Sequence, residues 1–167
     1  MSLEELEKRV KAIEDIEEIK QLHIRYILGL NEQDFEGMTE CFAEDIVEEG
    51  ILRGQKHDGK AALSSMLKQM GEDQKAVSMW KGGQLLLHPI IKVDGDTATG
   101  IWTWFRLGMP HTFTSEMGRE VELFEPWQAR YDMEYRRIDG KWKMSKLKFT
   151  LPWPANQWPK SADSEIK

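Results

Sequence analysis

Cysteine is almost missing from this chain of 167 residues, with Cys41 the only one. That excludes an intramolecular disulfide and a thiolate metal cluster. Long apolar runs are missing as well; the longest are short stretches such as Leu85 to Leu87. Nothing approaches the ~20 apolar residues of a membrane-spanning helix, so no membrane partner is expected. An excess of basic residues is the third absence: 23 Lys and Arg stand against 29 Asp and Glu, a formal net charge of -6. A nucleic-acid binder needs a basic face to displace counterions from phosphates, so that partner is not expected either. The N-terminus, "MSLEELEKRV", is charged and has no apolar signal-peptide core. A cytoplasmic protein is the default expectation.

Tryptophan, by contrast, is plentiful. All seven lie from Trp80 onward, and six, Trp102, Trp104, Trp127, Trp142, Trp153 and Trp158, fall in strand-like or tail segments, where converging flat rings suit the wall of an apolar pocket. The first part of the chain has helical spacing: Leu3, Leu6, Val10, Ile13, then Ile16, Ile19, Leu22, Tyr26 and Leu30. Asp34 can cap a short second helix. "DIVEEGILRG" reads as a first strand ending near Gly54, and Asp58 can cap a third helix that stops at Gly71. Beyond it, two long hairpins are expected, turning at Asp94–Gly95–Asp96 and at Asp139–Gly140. Pro89 and Pro126 belong at edges or bulges, since neither can donate to a ladder. Helices followed by a meander of strands predict an α+β fold. About three helices should lie against a strongly curved antiparallel sheet, giving a cone-shaped α+β barrel. One domain is expected over residues 1–160, with a polar tail at 161–167.

The order helix, "Y-x4-N-x2-D-F", "F-A-E-D", strand, helix, "HPIIKVDGDTATGIW", "YRRIDGKWKMSKL" resembles the SnoaL-like branch of the nuclear transport factor 2-like superfamily. The resemblance runs over roughly residues 3 to 152. It is closest in layout to scytalone dehydratase, the bile-acid 7-alpha-dehydratase and lindane dehydrochlorinase. It implies a cofactor-independent enzyme that holds an apolar substrate in the cone and eliminates a group with an Asp–His pair. Tyr26 matches the first-helix tyrosine of the bile-acid enzyme. Asn31 stands where they have the aspartate, and Gln84 where they have the histidine. An amide neither takes nor gives a proton near neutral pH, so another acid–base group is required.

Family pocket positions and strand alternation imply that Glu48 and Gly50, Trp102, Trp104 and Arg106, and Trp127, Ala129 and Tyr131 face the cone. Steroid isomerases of the superfamily carry their base at the position of Gly50, one pleat from Glu48. A glutamate among tryptophans suits a general base or acid, and Glu49 reads as solvated. His88 has the pleat parity of Gln84 and should face the pocket unless Pro89 disturbs the strand. Arg106 in an apolar cone needs a partner, for which Glu48 is a candidate. Tyr26, Glu48, His88 and Arg106 are thus the candidate catalytic residues. Asn31, Gln84, Trp102, Trp104, Trp127 and Tyr131 are the candidate substrate-binding residues. His111 lies on a loop that could overhang the mouth; His23 and His57 read as surface. No metal site is expected.

The function these readings support is a lyase for a hydrophobic, aromatic or polycyclic small molecule. Its reaction would be dehydration or a retro-aldol-type cleavage such as loss of formaldehyde. A non-catalytic binding or assembly domain, or a steroid-isomerase-like enzyme, is the alternative. The resemblance also implies a homotrimer or homodimer joined through the outer sheet face. "LPWPANQWPK", stiff and apolar, is expected to fold over the cone mouth or a neighbouring subunit.

Overall fold

Ser2 opens the first helix with a capping box: the Glu5 N–H donates to Ser2 Oγ at 3.1 Å, and the Ser2 N–H to Glu5 Oε2 at 2.8 Å. Helix α1 then runs over Leu3–Glu32 and closes at Gln33, whose φ of 61° is left-handed. The computed structural model describes residues 2–51, 55–76, 83–106, 110–114, 120–124 and 127–151; for 70, 71, 73–76, 110–114 and 120–124 it describes the backbone alone. Ile19, Leu22, His23, Tyr26 and Ile27 form the buried stripe of α1 at helical spacing. Leu3, Leu6, Val10 and Ile13 continue the periodicity but stay exposed, so the helix begins to dock only at Asp15.

Asp15 is the anchor. It accepts hydrogen bonds from Lys11 Nζ at 2.6 Å and from the Arg137 guanidinium, and Trp142 Nε1 approaches at 3.5 Å. The Arg137 guanidinium also stacks over the Trp142 ring at 4.6 Å. Burial alone would raise the Asp15 pKa, but these donors outweigh it and hold the carboxyl below its ordinary value. The far end of α1 is fixed by shape. Helix α2 (Phe35–Thr39), capped by Asp34 as expected, presses Met38 against Gly29, where a Cβ would lie 2.3 Å from Met38 Cγ.

The remaining elements are β1 (Phe42–Glu49), β2 (Lys56–Asp58), α3 (Lys60–Ala76), β3 (Gln84–Asp94), β4 (Thr97–Arg106), β5 (Pro110–Thr114), β6 (Glu120–Phe124), β7 (Trp127–Ile138) and β8 (Lys141–Thr150). The main sheet has the order β2-β1-β8-β7-β4-β3, and β5 pairs with β6 separately. This is the α+β architecture expected, with a curved sheet that stays open rather than closing. One join departs from the antiparallel expectation: β1 and β8 are parallel. The first strand stops at Glu49, short of Gly54, because Gly50 turns the chain with φ of 99°. Asp58 pairs with Val47 in β2 instead of capping α3, and Gly71 lies inside α3 rather than ending it.

Both turn signatures hold. Asp139 and Gly140 take φ of 49° and 75°, the paired positive values of a type I′ hairpin joining β7 and β8. Gly95, at φ of 58°, turns β3 into β4. The core lies between α1 and the concave face, where Trp102, Trp104, Ala129, Tyr131, Met133, Tyr135 and Leu147 are buried. Each fully buried aliphatic or aromatic side chain there contributes roughly 1.5–3 kcal/mol. The apolar tail, with Trp153 and Trp158, lies outside the described residues, as do Trp80, Pro126 and the His111 side chain.

Candidate active site

Strand β1 points Glu48 into the core, where its side chain is 0% exposed. A carboxylate there is tolerable only if both oxygens find donors. They do. Glu48 Oε1 accepts the Ile51 N–H at 2.7 Å, and Oε2 lies 2.6 Å from His57 Nδ1. The pairing register explains the second contact, since His57 stands directly opposite Glu48 across β1 and β2. His57, expected on a surface loop, is therefore 16% exposed in its side chain and partnered. The strand carrying it has three residues, too few to show a period.

Gly50 cannot be the acid position of this chain. A Cβ there would sit 2.1 Å from the Phe149 carbonyl oxygen, and its φ excludes most side chains. The acid has one place left on that strand's inner face, Glu48.

Tyr26 from α1 and Tyr131 from β7 share the interior with Glu48. Their rings meet edge to face at 6.4 Å, and Tyr131 also packs on Phe149 at 5.0 Å. Burial raises the Tyr26 phenol well above its ordinary value, with Tyr131 and the Glu48 carboxylate adding to the effect. Burial raises Tyr131 too, outweighing the hydrogen bond with Tyr26 that lowers it, and the Glu48 charge adds to the rise. Both phenols therefore keep their protons and can serve as donors.

His23, expected at the surface, is fully buried between these rings. It lies 4.5 Å from Trp102, 5.4 Å from Tyr131 and 5.8 Å from Tyr26, centroid to centroid. Burial brings its pKa down to about 3, so the imidazole is neutral. The signal was present in the sequence, because His23 lies four residues after Ile19 and three before Tyr26.

The two amides form a clamp. Asn31 Nδ2 donates to the Gln84 carbonyl at 3.0 Å, and the Gln84 N–H donates to Asn31 Oδ1 at 3.1 Å. The Gln84 side-chain oxygen accepts from Trp104 Nε1 at 3.1 Å. Asn31 and Gln84 thus meet where the resemblance expects the acid–base pair, but they fasten the start of β3 to the end of α1.

Three other candidates stand apart. His88 takes φ of 50° at the bulge between Leu87 and Ile90, which breaks the pleat parity and leaves it exposed. Arg106 is half-buried at the end of β4 and makes no ion pair among the described residues; the Glu48 oxygens are taken by His57 and Ile51. Burial lowers the Arg106 pKa from its ordinary value. Trp127, opposite Arg106, is 43% exposed at the start of β7. Both lie at the open end of the inner face, whereas Tyr26, Glu48, Trp102, Trp104 and Tyr131 lie within it.

Among the described residues, no group of three or more His, Cys, Asp or Glu side chains is placed to hold a metal ion. No helix among them is long and apolar enough to cross a membrane.

Residues 11–148 match the sequence model of the SnoaL-like domain. No sequence among curated proteins matches the chain. Among solved structures, an NTF2-like protein with a cystatin-like fold from Novosphingobium aromaticivorans is similar, at 23% identity and a TM-score of 0.67, covering 93% of this chain and 94% of that one. A candidate scytalone dehydratase from the same organism has 17% identity and a TM-score of 0.63, with 84% and 86% covered. A candidate aromatic ring hydroxylase, also from that organism, has 21% identity and a TM-score of 0.61, with 85% and 92% covered. At these identities the likeness is one of fold, and the fold hosts many chemistries.

Proposed function

The chain belongs to the SnoaL-like domain family, and from that footing we propose that it is a lyase acting on a hydrophobic aromatic or polycyclic small molecule, with Glu48 and His57 as its acid–base pair. The observation that carries this reading is the 2.6 Å contact between His57 Nδ1 and the fully buried carboxylate of Glu48. With Nδ1–H donated to Glu48, the lone pair of His57 Nε2 is left to take a proton. The Glu48 charge stabilises the imidazolium that forms, the role a carboxylate plays behind a catalytic histidine. The lost aspartate–histidine pair is replaced by a glutamate and a histidine from the neighbouring edge of the sheet.

The second half of an elimination is supplied by a phenol. In a dehydration, His57 takes a proton from carbon, the electron pair forms the new double bond, and Tyr26 or Tyr131 protonates the departing hydroxyl as water. The proton on His57 then restores the phenol. In a retro-aldol cleavage, the base takes the hydroxymethyl proton and the C–C bond breaks to release formaldehyde. The electron pair passes to the adjacent carbon, is delocalised into an electron-accepting aryl group and is quenched by a phenol proton, which the protonated His57 then restores. Phenols kept protonated by burial suit the donor role in both cases. The aromatic side chains at the inner face, Trp104, Tyr131 and Phe149 among them, suit a flat substrate.

The test uses two probe sets: β-hydroxy aryl ketones, followed by the absorbance of the conjugated product, and 1,2-diaryl-1,3-propanediols, followed by formaldehyde. Turnover that falls on Glu48→Gln and His57→Gln supports the reading. A protein that binds the probes and converts none of them supports a non-catalytic domain instead, which the structural use of Asn31 and Gln84 favours.

Assembly belongs to the same proposal. Leu85, Leu87 and Ile90 are exposed along β3, a surface suited to a second or third copy of the chain.

A further inference from the structure

Helix α1 has two apolar faces, and the core uses one. Ile19, Leu22 and Tyr26 turn toward the sheet and are buried. Leu3, Leu6, Val10, Ile13, Ile24 and Leu28 are 43–71% exposed. At about 100° per residue these six fall within an arc of roughly 80°, on the side of α1 opposite the buried stripe. A single exposed aliphatic side chain is ordinary. Six in one stripe, along about 38 Å of helix, mark a contact surface.

The first three turns sharpen the point. Residues 3–14 are exposed apart from a half-buried Ala12, and docking on the rest of the fold begins at Asp15. A stretch of ~12 helical residues without tertiary packing is marginal in water, even with a capping box at its start.

The centre of the stripe says what the partner is. Glu17 and Lys20 lie on the same face between Ile13 and Ile24, and pair with each other at 3.3 Å. A second α1 laid parallel and in register would set Glu17 on Glu17 and Lys20 on Lys20. Laid antiparallel about a two-fold axis between these residues, it sets Glu17 of each copy beside Lys20 of the other. The same register places Ile13 against Ile24 and Val10 against Leu28, each contact made twice, and brings Leu6 over the last turn of the second helix. Along one flank Glu14 meets Arg25, a further pair of opposite sign. Glu7 meets Glu32 only at the ends, where solvent screens the repulsion. A lipid surface is a poor match, because Glu7, Glu14 and Glu17 border or interrupt the stripe where an interfacial helix carries Lys and Arg.

We propose that the outward face of α1 is a two-fold contact at which two copies of this chain pair antiparallel, centred on Glu17 and Lys20. The contact is separate from the exposed side chains of β3, and it does not depend on the lyase reading.

The test is disulfide trapping, with every variant made in Leu87→Asp so that association through β3 does not contribute. Cys41 is the only native thiol and is buried, so it does not compete. Under mild oxidation the double variant Ile13→Cys/Ile24→Cys should form a covalent dimer. Ile13→Cys or Ile24→Cys alone should give ~10-fold less, because the two-fold axis separates like positions by about 16 Å along the helix, too far for a disulfide. Sedimentation of unoxidised protein should show Glu17→Lys and Lys20→Glu each weakening association ~10-fold or more, and the exchange Glu17→Lys/Lys20→Glu restoring it. Amide hydrogen exchange over residues 3–13 should slow as protein concentration rises. Trapping of Ile13→Cys alone as readily as of the double variant would mean parallel pairing, and no trapping of either would mean no pairing. Protection of residues 3–13 that is full at every concentration would give the face to a segment of the same chain. Protection that appears only with phosphatidylcholine–phosphatidylglycerol vesicles would give it to a membrane. Each of these four results would overturn the proposal.

Discussion

Neutral burial of His23 has a consequence for stability that can be calculated. In the unfolded chain the imidazole takes a proton near pH 6.5; in the folded protein it does so only near pH 3. Its folded pKa is depressed, so below pH 6.5 the unfolded state binds the extra proton and folding loses free energy as the pH falls. The loss accumulates between pH 6.5 and about pH 3, where the folded imidazole also titrates. At pH 5 the gap amounts to about one and a half pH units of differential protonation, or about 2 kcal/mol. Urea unfolding at pH 7 and pH 5, on the parent and on His23→Gln, isolates this contribution. Other titrating groups are common to both proteins and cancel in the difference. Glutamine keeps a donor and an acceptor near Tyr135 but does not titrate. The parent should lose ~2 kcal/mol more than the variant between the two pH values, shifting the relative midpoints by about 1 M urea. Equal losses would show that His23 charges as readily folded as unfolded, and the buried neutral imidazole would be wrong.

Asn31→Asp should lower stability by about 1–2 kcal/mol without creating activity, because a carboxylate removes the donor to the Gln84 carbonyl and opposes two acceptors; thermal unfolding measures it, and an unchanged Tm would contradict the clamp. Asp15→Ala should cost about 3 kcal/mol by leaving Arg137 half-buried beside Trp142 without its main partner. Denaturant unfolding checks that, and a loss under 1 kcal/mol would reduce Asp15 to a surface residue. Leu87→Asp should shift sedimentation toward monomer if the exposed side chains of β3 join copies of the chain; identical sedimentation of the two proteins would remove that face as the interface.

What the sequence disclosed, and what it withheld, follows the range of the interactions involved. The turns at Gly95 and Asp139–Gly140 were legible because positive φ is a local demand that few residues meet. The inward direction of Glu48 was legible from the resemblance's pocket positions together with pleat parity on an eight-residue strand. His57 was not, since its place depends on a three-residue strand whose partner is chosen by tertiary pairing. Parity placed His88 inward until a one-residue bulge beside Pro89 reversed it. His23 lay on the buried stripe of α1, and its polarity concealed what its spacing showed. Leu3 to Ile13 show the converse, apolar periodicity without burial within the chain. Periodicity reports that a face seeks a partner; which surface satisfies it is decided elsewhere in the fold.

The proposed replacement of the aspartate–histidine pair by Glu48 and His57 is tested most directly by one comparison. Turnover of a β-hydroxy aryl ketone or a 1,2-diaryl-1,3-propanediol is measured for the parent and for Glu48→Gln, with probe affinity followed in parallel by tryptophan fluorescence. Glutamine keeps the size of the side chain and its hydrogen bond from Ile51 but cannot stabilise an imidazolium on His57. Turnover should fall by ~100-fold or more while affinity stays within a few-fold. A Glu48→Gln protein with full turnover would contradict the assignment outright.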